Sequence, residues 1–395
     1  MGPLSEANTA FCLALFKQLD EDKKSSNVFY SPLSISSALA MVMLGARANT
    51  ATQILHRSPV PALTLICFDC PQCLKAQDDV HVKFSKLIKE LNKAGAPYSL
   101  SLANRLYGDQ SYQFVEGFLA DTKKHYDAKL KSVDFKASAE TARININNWV
   151  EKQTQDKIKD LLAPGVVDSM TRLVLVNAIY FKGNWDRKFD ADLTKDAQFK
   201  LNKVTLHNIN TVWLFLHHST FSVTVKTHCV GQILELPYKG KDLSMLIFLP
   251  YEMEDDTTGL EKLEKELTYE KFVEWTQPHK MYTVEVDVGL PRFKMEESYD
   301  LKDILTRMGM VDAFDVRMSD FSGMSPANDL VLSQVVHKAF VEVNEEGTKA
   351  AAATTSDIML CCGIPTFIAD HPFLFFIRHK PSMSVLFAGR FCSPA

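Results

Sequence analysis

The sequence predicts an α+β fold built on largely antiparallel sheets. Helical periodicity dominates roughly the first 160 residues, and strand patterns take over later. The two kinds of element never alternate in the regular way that parallel βαβ units require.

In chain order, Leu4, Ala7, Phe11, Leu15 and Leu19 recur at helical spacing, with Ser5 as the expected N-cap. Ser31-Pro32 opens a second helix, Leu33 to Ala46. Its Ser34, Ser36, Ser37, Ala38 and Ala40 permit close packing against neighbours. Asp78 to Lys93 and Ala139 to Leu162 also carry helical periodicity. Leu173 to Phe181 is a near-continuous apolar run, as expected of a central strand covered on both faces, and Leu243 to Leu249 is similar. Val284, Val286 and Val288 alternate with Glu285 and Asp287, which predicts a half-exposed strand. Phe373 to Ile377 and Val385 to Phe391 are expected to pair as closing strands. No repeat or Pro/Gly/Ser-rich linker divides the 395 residues, so the chain is expected to form a single domain, 1–395.

Composition narrows the function. Hydrophobic residues make up 46% and charged residues 23%, the balance of an ordinary soluble domain. A formal net charge of −4 supplies no basic field for nucleic acid. No apolar run reaches the roughly 18 residues that a membrane span needs. The first 19 residues include Glu6, Asn8, Lys17 and Gln18 and do not form a secretory signal, which points to a cytoplasmic protein. The eight cysteines are then expected as free thiols. Cys67, Cys70 and Cys73 give CxxCxxC, but a zinc site wants four ligands, and the nearest histidine is His81. Lys83, Lys86, Lys89 and Lys93 fit a solvated helix face. No GxSxG, GxGxxG, P-loop or HExxH motif is present; neither a catalytic residue, a metal nor a cofactor is expected.

The informative stretch is VEVNEEGTKAAAATTSDIMLCCGIPTFIADHP, Val341 to Pro372. It begins as a strand and then turns into small residues from Thr348 to Ser356, with Lys349 the exception. Read as a strand, Thr348, Ala350, Ala352, Thr354 and Ser356 share one face, followed by Ile358 and Leu360. Both charges, Lys349 and Asp357, fall on the other face. The segment can therefore slide between two strands, burying a small uncharged face. From Gly347 to Cys361 it spans about 46 Å at about 3.3 Å per residue. Gly347 has the backbone freedom of a hinge. Residues alone also permit a helix, since Ala350 to Ala353 have high helix propensity and Thr348 can cap them.

The strings EVNEEGTKAAAATT and FIADHPFLFFI resemble the hinge and C-terminal signature of the serpins. Asn27 to Ala46, Asn177 to Trp185, Leu290 to Leu301 and Leu332 to Gly347 resemble further serpin motifs, so the likeness runs over nearly the whole chain. The wording is similar to the intracellular, ovalbumin-related clade, which implies a cytoplasmic protein and leaves release without a signal peptide open.

The resemblance implies a three-sheet, roughly nine-helix fold with an exposed reactive-centre loop at about 346–367. It implies a suicide-substrate inhibitor of serine proteases, in which the cleaved loop inserts into the main sheet; this insertion is a property of the family, not a deduction from these residues. Counting from the hinge (Glu346, Gly347, Thr348, Lys349, Ala350, Ala351, Ala352, Ala353) places the scissile bond at Cys361–Cys362, with Met359 and Leu360 flanking it. Such residues suit elastase-like and chymotrypsin-like proteases, held in a covalent complex by a monomeric inhibitor. By the same resemblance Ser31, Ser34, Asn177 and His337 form a hydrogen-bonded gate beneath the sheet, and Trp185 packs at its top. A non-inhibitory serpin acting in binding, storage or as a chaperone is the second reading.

Two stretches depart from the family pattern, 55–77 and 204–231. Altered splicing or a faulty gene model is the expected cause. The second stretch keeps some alternation at Phe221, Val223 and Val225, compatible with a strand.

Overall fold

The computed structural model describes residues 2–22, 25–56, 73–201, 210–225, 231–251, 258–327, 329–345 and 365–393. Its main sheet has five strands in the order β10-β11-β4-β2-β3. These are β2 (Tyr98–Asp109), β3 (Lys131–Val133), β4 (Leu173–Gly183), β10 (Phe293–Asp300) and β11 (Leu332–Val343). β4 is central and apolar, as its unbroken hydrophobic run requires. Leu173, Leu175 and Ile179 point into the principal core, while Val174, Val176 and Ala178 point to the opposite face.

The remaining strands form one nine-stranded hydrogen-bonded path. They are β1 (Val28–Tyr30), β5 (Asp190–Gln198), β6 (Asn210–Val225), β7 (Gly231–Pro237), β8 (Leu243–Pro250), β9 (Tyr282–Pro291), β12 (Thr366–Ile368), β13 (Phe373–His379) and β14 (Ser384–Phe391). Two of the three expected sheets lie within this path, made continuous by β6 and β9. The β6–β9 register shifts between Leu216 and Ser219. β9 pairs along one edge of β6, and the opposite edge is shared by β5 near the start of the strand and β7 at its end, from which the sheet continues through β8 and β13 to β14. The strand expected within 204–231 is thus a full member of the sheet. All pairings in both sheets are antiparallel except β2–β3, β4–β11 and β9–β12.

Nine α-helices stand among the described residues. They are α1 (Pro3–Asp22), α2 (Pro32–Met43), α3 (Ala48–His56), α4 (Cys73–Leu91), α5 (Glu116–Tyr126), α6 (Phe135–Gln153), α7 (Glu261–Glu266), α8 (Tyr269–Trp275) and α9 (Lys302–Arg307). α2 is buried along its whole length and touches β14 on one side and β2 and β4 on the other. Its serines and alanines let the two sheets approach it closely. Above it Phe29 stacks on Phe387 at 5.4 Å and on Phe375 at 5.9 Å, joining β1, β13 and β14.

α6 covers the outer face of the main sheet. Phe135, Ala142, Ile146 and Val150 pack with Val174, Val176 and Ala178 of β4 and Ala103 and Tyr107 of β2 in a second core. The helix breaks at Ser138, one residue before the expected start, and Asp134 caps it through Ala137 N–H at 2.8 Å.

Several expectations need correction. The first helix begins at Pro3, so Ser5 lies inside it; its hydroxyl donates to the Ser382 carbonyl at 2.6 Å and is not the N-cap. The second helix stops at Met43, short of Ala46. The helix expected to reach Leu162 stops at Gln153. There Gln155 and Asp156 take left-handed backbone angles, and the Thr154 hydroxyl accepts from Ile158 N–H at 3.1 Å, which draws the chain out of the helix. β9 is half-exposed along its length and not by alternation: Val284 is exposed, whereas Val286 and Val288 are buried. Lys93 lies beyond α4 and pairs with Asp242 at 2.7 Å. His81 meets the Tyr126 hydroxyl at 2.5 Å. Cys12 and Cys392 are free and buried, and burial pushes both thiols up to about 12.

Candidate functional site

The site is the seam between β4 and β11 at the middle of the main sheet. These strands run parallel and are bonded directly to each other, from Leu332 opposite Leu173 to Val341 opposite Phe181. β11 ends at Val343 and the described chain resumes at Pro365, whose carbonyl accepts from Asp287 N–H at 3.0 Å. Thr366 to Ile368 then pair with β9. Glu346, Gly347, Thr348, Lys349, Ala350, Ala351, Ala352 and Ala353 lie outside the described residues, as do Met359, Leu360, Cys361 and Cys362.

The structure brings Ser31, Ser34, Asn177 and His337 together on the core side of this seam. His337 on β11 stands directly opposite Asn177 on β4. Both are buried among apolar residues, where an unpaired polar group costs about 1–3 kcal/mol, so each must find partners. Ser31 N–H donates to His337 Nε2 at 3.1 Å. That bond fixes the tautomer: Nε2 is the acceptor, Nδ1 carries the proton, and Nδ1–H donates to Asn177 Oδ1. The Asn177 amide donates to the Ser34 carbonyl at 3.0 Å, to Ser34 Oγ at 2.6 Å and to Asn104 Oδ1.

Local sequence sets up this geometry. Ser31 N-caps α2: its Oγ accepts from Ser34 N–H at 3.1 Å and donates to the Leu386 carbonyl at 2.6 Å. One serine thereby ties α2 to both β11 and β14. Asn104 and Tyr299 complete the site and were not foreseen. Asn104 donates to Ser37 Oγ at 3.1 Å, and the Tyr299 ring stacks on His337 at 6.5 Å. The available signal was a lone Asn within the β2 pattern, on the face that looks toward α2.

Burial pushes His337 down to about 3, well below the ordinary histidine value. The neutral ring is what the network requires, because a proton on Nε2 would face the Ser31 N–H.

Trp185 sits past the end of β4. Its indole N–H donates to the Asn344 carbonyl at 3.0 Å, and its ring stacks on Tyr238 at 4.5 Å and 10°. Nearby, Arg292 approaches Glu345 at 3.6 Å and Lys294 approaches Glu342 at 3.4 Å. The last described residues of β11 are thus tethered on both sides.

The architecture defines a serpin. The family model described as "Serpin (serine protease inhibitor)" matches residues 6–394, and the chain belongs to that family. Curated relatives agree along the full length. The chain is 52% identical to leukocyte elastase inhibitor of Equus caballus and 50% identical to that of Homo sapiens, in each case over 100% of both chains. Among solved structures, uncleaved ovalbumin superposes with a TM-score of 0.88 at 35% identity over 100% of both chains. A maspin structure gives 0.88 at 35% identity, covering 99% of this chain and 98% of that one. Serpins are protease inhibitors and not catalysts. Among the described residues no helix is long and apolar enough to cross a membrane.

The buried neutral His337 makes stability pH-dependent. The unfolded chain takes up this proton as pH falls through about 6.5, whereas the folded chain resists until about 3. The contribution is therefore complete above about pH 6.5 and is lost between there and about pH 3, at up to about 1.4 kcal/mol per pH unit. Urea midpoints measured from pH 7.5 to 4 are expected to fall less steeply for His337→Gln than for the parent. Identical slopes would remove His337 from the account.

Proposed function

We propose that this serpin is a suicide-substrate inhibitor of serine proteases with elastase-like or chymotrypsin-like specificity, acting as a cytoplasmic monomer. The observation that carries the proposal is the direct parallel pairing of β4 and β11. A chain that leaves the end of β11 and turns back can enter this seam only antiparallel to both neighbours. Insertion thus exchanges one parallel ladder for two antiparallel ones, which are the more stable pairing per residue. The native fold is then a kinetically held state with a lower one available.

The sequence after Gly347 suits that lane. Thr348, Ala350, Ala352, Thr354 and Ser356 would face inward, leaving Lys349 and Asp357 outward. In the chemical step the protease serine Oγ attacks the Cys361 carbonyl carbon. The peptide bond to Cys362 breaks, the amine of Cys362 leaves with a proton, and an ester joins the protease to Cys361. Insertion then draws the tethered protease away before water completes deacylation. Ser31, Ser34, Asn104, Asn177 and His337 act as the gate, because the seam cannot part without separating His337 from Asn177. Trp185, through Asn344, holds the hinge side of the seam. The relatives named leukocyte elastase inhibitor support the choice of target, and no Lys or Arg between Thr354 and Phe367 offers a trypsin-like protease a basic residue.

Incubation with neutrophil elastase or chymotrypsin is expected to give an adduct that survives SDS, with stoichiometric loss of protease activity. Clean cleavage near Cys361 with the protease fully active would support the non-inhibitory reading instead. Placing an arginine on the inward face, Ala350→Arg, should leave cleavage intact and abolish adduct formation, since a charge cannot be buried there without a partner. Retained inhibition in that variant counts against insertion. Loop-nicked protein should melt far above the intact form, and equal melting temperatures would contradict the proposed exchange of ladders.

A further inference from the structure

The outer face of the main sheet carries a second polar cluster, at the edge under α6, that the inhibitory mechanism does not use. Arg105 and Tyr107 are two apart on β2 and point to the same face. Trp149 of α6 lies over them: the Arg105 guanidinium carbon is 3.9 Å from the Trp149 ring centre, and Tyr107 meets that ring edge-on at 6.1 Å. Tyr107 is only 3% exposed.

Both groups lack an acceptor. Arg105 Nε and the Tyr107 hydroxyl are buried and donate to no group among the described residues, and the Tyr107 oxygen has only the Arg105 guanidinium beside it, itself a donor. Arg105 has no carboxylate partner among the described residues, so the stacked indole is its principal neighbour. Burial pushes the Tyr107 phenol up to about 12, so it stays a neutral O–H donor, with Arg105 the smaller opposing influence. Native interiors rarely leave two such donors orphaned side by side, and each instance calls for a missing partner. Both orphans lack an acceptor.

Exposed lysines add positive charge, and the one buried carboxylate on this face among the described residues, Asp109, two residues beyond Tyr107, is already held by Ser111 and by the backbone N–H groups of Phe135 and Lys136. Lys131 on β3 is the register partner of Tyr107 and is exposed. Lys152, one turn beyond Trp149 on α6, is exposed as well. The acidic residues of α6 are engaged elsewhere, Glu140 with Arg143 at 2.6 Å and Glu151 with Lys159 at 3.0 Å.

We propose that Arg105 and Tyr107, braced by Trp149 and flanked by Lys131 and Lys152, form a binding site for a small oxyanion. Carboxylate, phosphate and sulfate share the required chemistry: two acceptor oxygens, one for Arg105 Nε–H and one for Tyr107 O–H. The stacked guanidinium is already held in place, so little side-chain freedom is lost on binding. A ligand here joins β2 to α6 and tightens the cover of the main sheet.

The test is titration of the intact protein with inorganic phosphate, sulfate or acetate at constant ionic strength. It is followed by the amide and indole signals of Trp149 and by melting temperature. A saturable response is expected, and the three arms show which oxyanion is preferred. Tyr107→Phe keeps the buried ring and removes only the orphaned hydroxyl. It should weaken binding about tenfold with no loss of unliganded stability. Arg105→Lys keeps the charge but loses the fork and should weaken binding at least as much. A response that never saturates, or that is equal in parent and Tyr107→Phe, is a general salt effect and overturns the proposal. A Tyr107→Phe protein that is markedly destabilised without ligand would also overturn it, because the hydroxyl would then have a partner within the fold.

Discussion

The direct pairing of β4 with β11 is the constraint around which the molecule is arranged. Parallel neighbours cannot be joined by a tight turn. Here they come from segments far apart in sequence, and the ladder between them is reinforced by a polar link set into the core. His337 and Asn177 face each other across it, and α2 presents Ser31 and Ser34 to both. Such a network is strong while every member is satisfied and weak once one partner leaves. An apolar seam of equal area would spread its resistance to separation evenly, whereas this one concentrates its polar bonding at one place.

The helix that carries the link explains much of the remaining packing. α2 is buried between two sheets, which a helix of ordinary bulk would hold apart. Its small residues let β14 and β4 share it, and the Ser31 hydroxyl bonded to the Leu386 carbonyl registers one sheet against the other. In the second sheet Phe29, Phe375 and Phe387 form one stack.

Much of this was legible in the sequence, for physical reasons. The run Leu173 to Phe181 has no polar interruption except Asn177, and that one exception is the residue that meets His337 across the seam. The small residues of α2 pointed to close packing, and closing strands appear where Phe373 and Val385 begin. Asn104 escaped because a single polar residue in a half-buried strand looks like an outward-facing one; only the register with Asn177 turns it inward. The end of α6 escaped because Ile158, Leu161 and Leu162 keep helical spacing while packing from an irregular chain, held by Asn147 and Thr154. The alternation at Phe221 to Val225 did mark a strand, although its neighbours depart from the family pattern.

Trp185 is a built-in optical gauge of the same region. Its indole N–H holds the Asn344 carbonyl just past the end of β11, and its ring lies flat on Tyr238. Any rearrangement that draws Asn344 away changes the polarity felt by this indole, so under the proposed mechanism the Trp185 share of the emission reports on the end of β11 without a foreign dye.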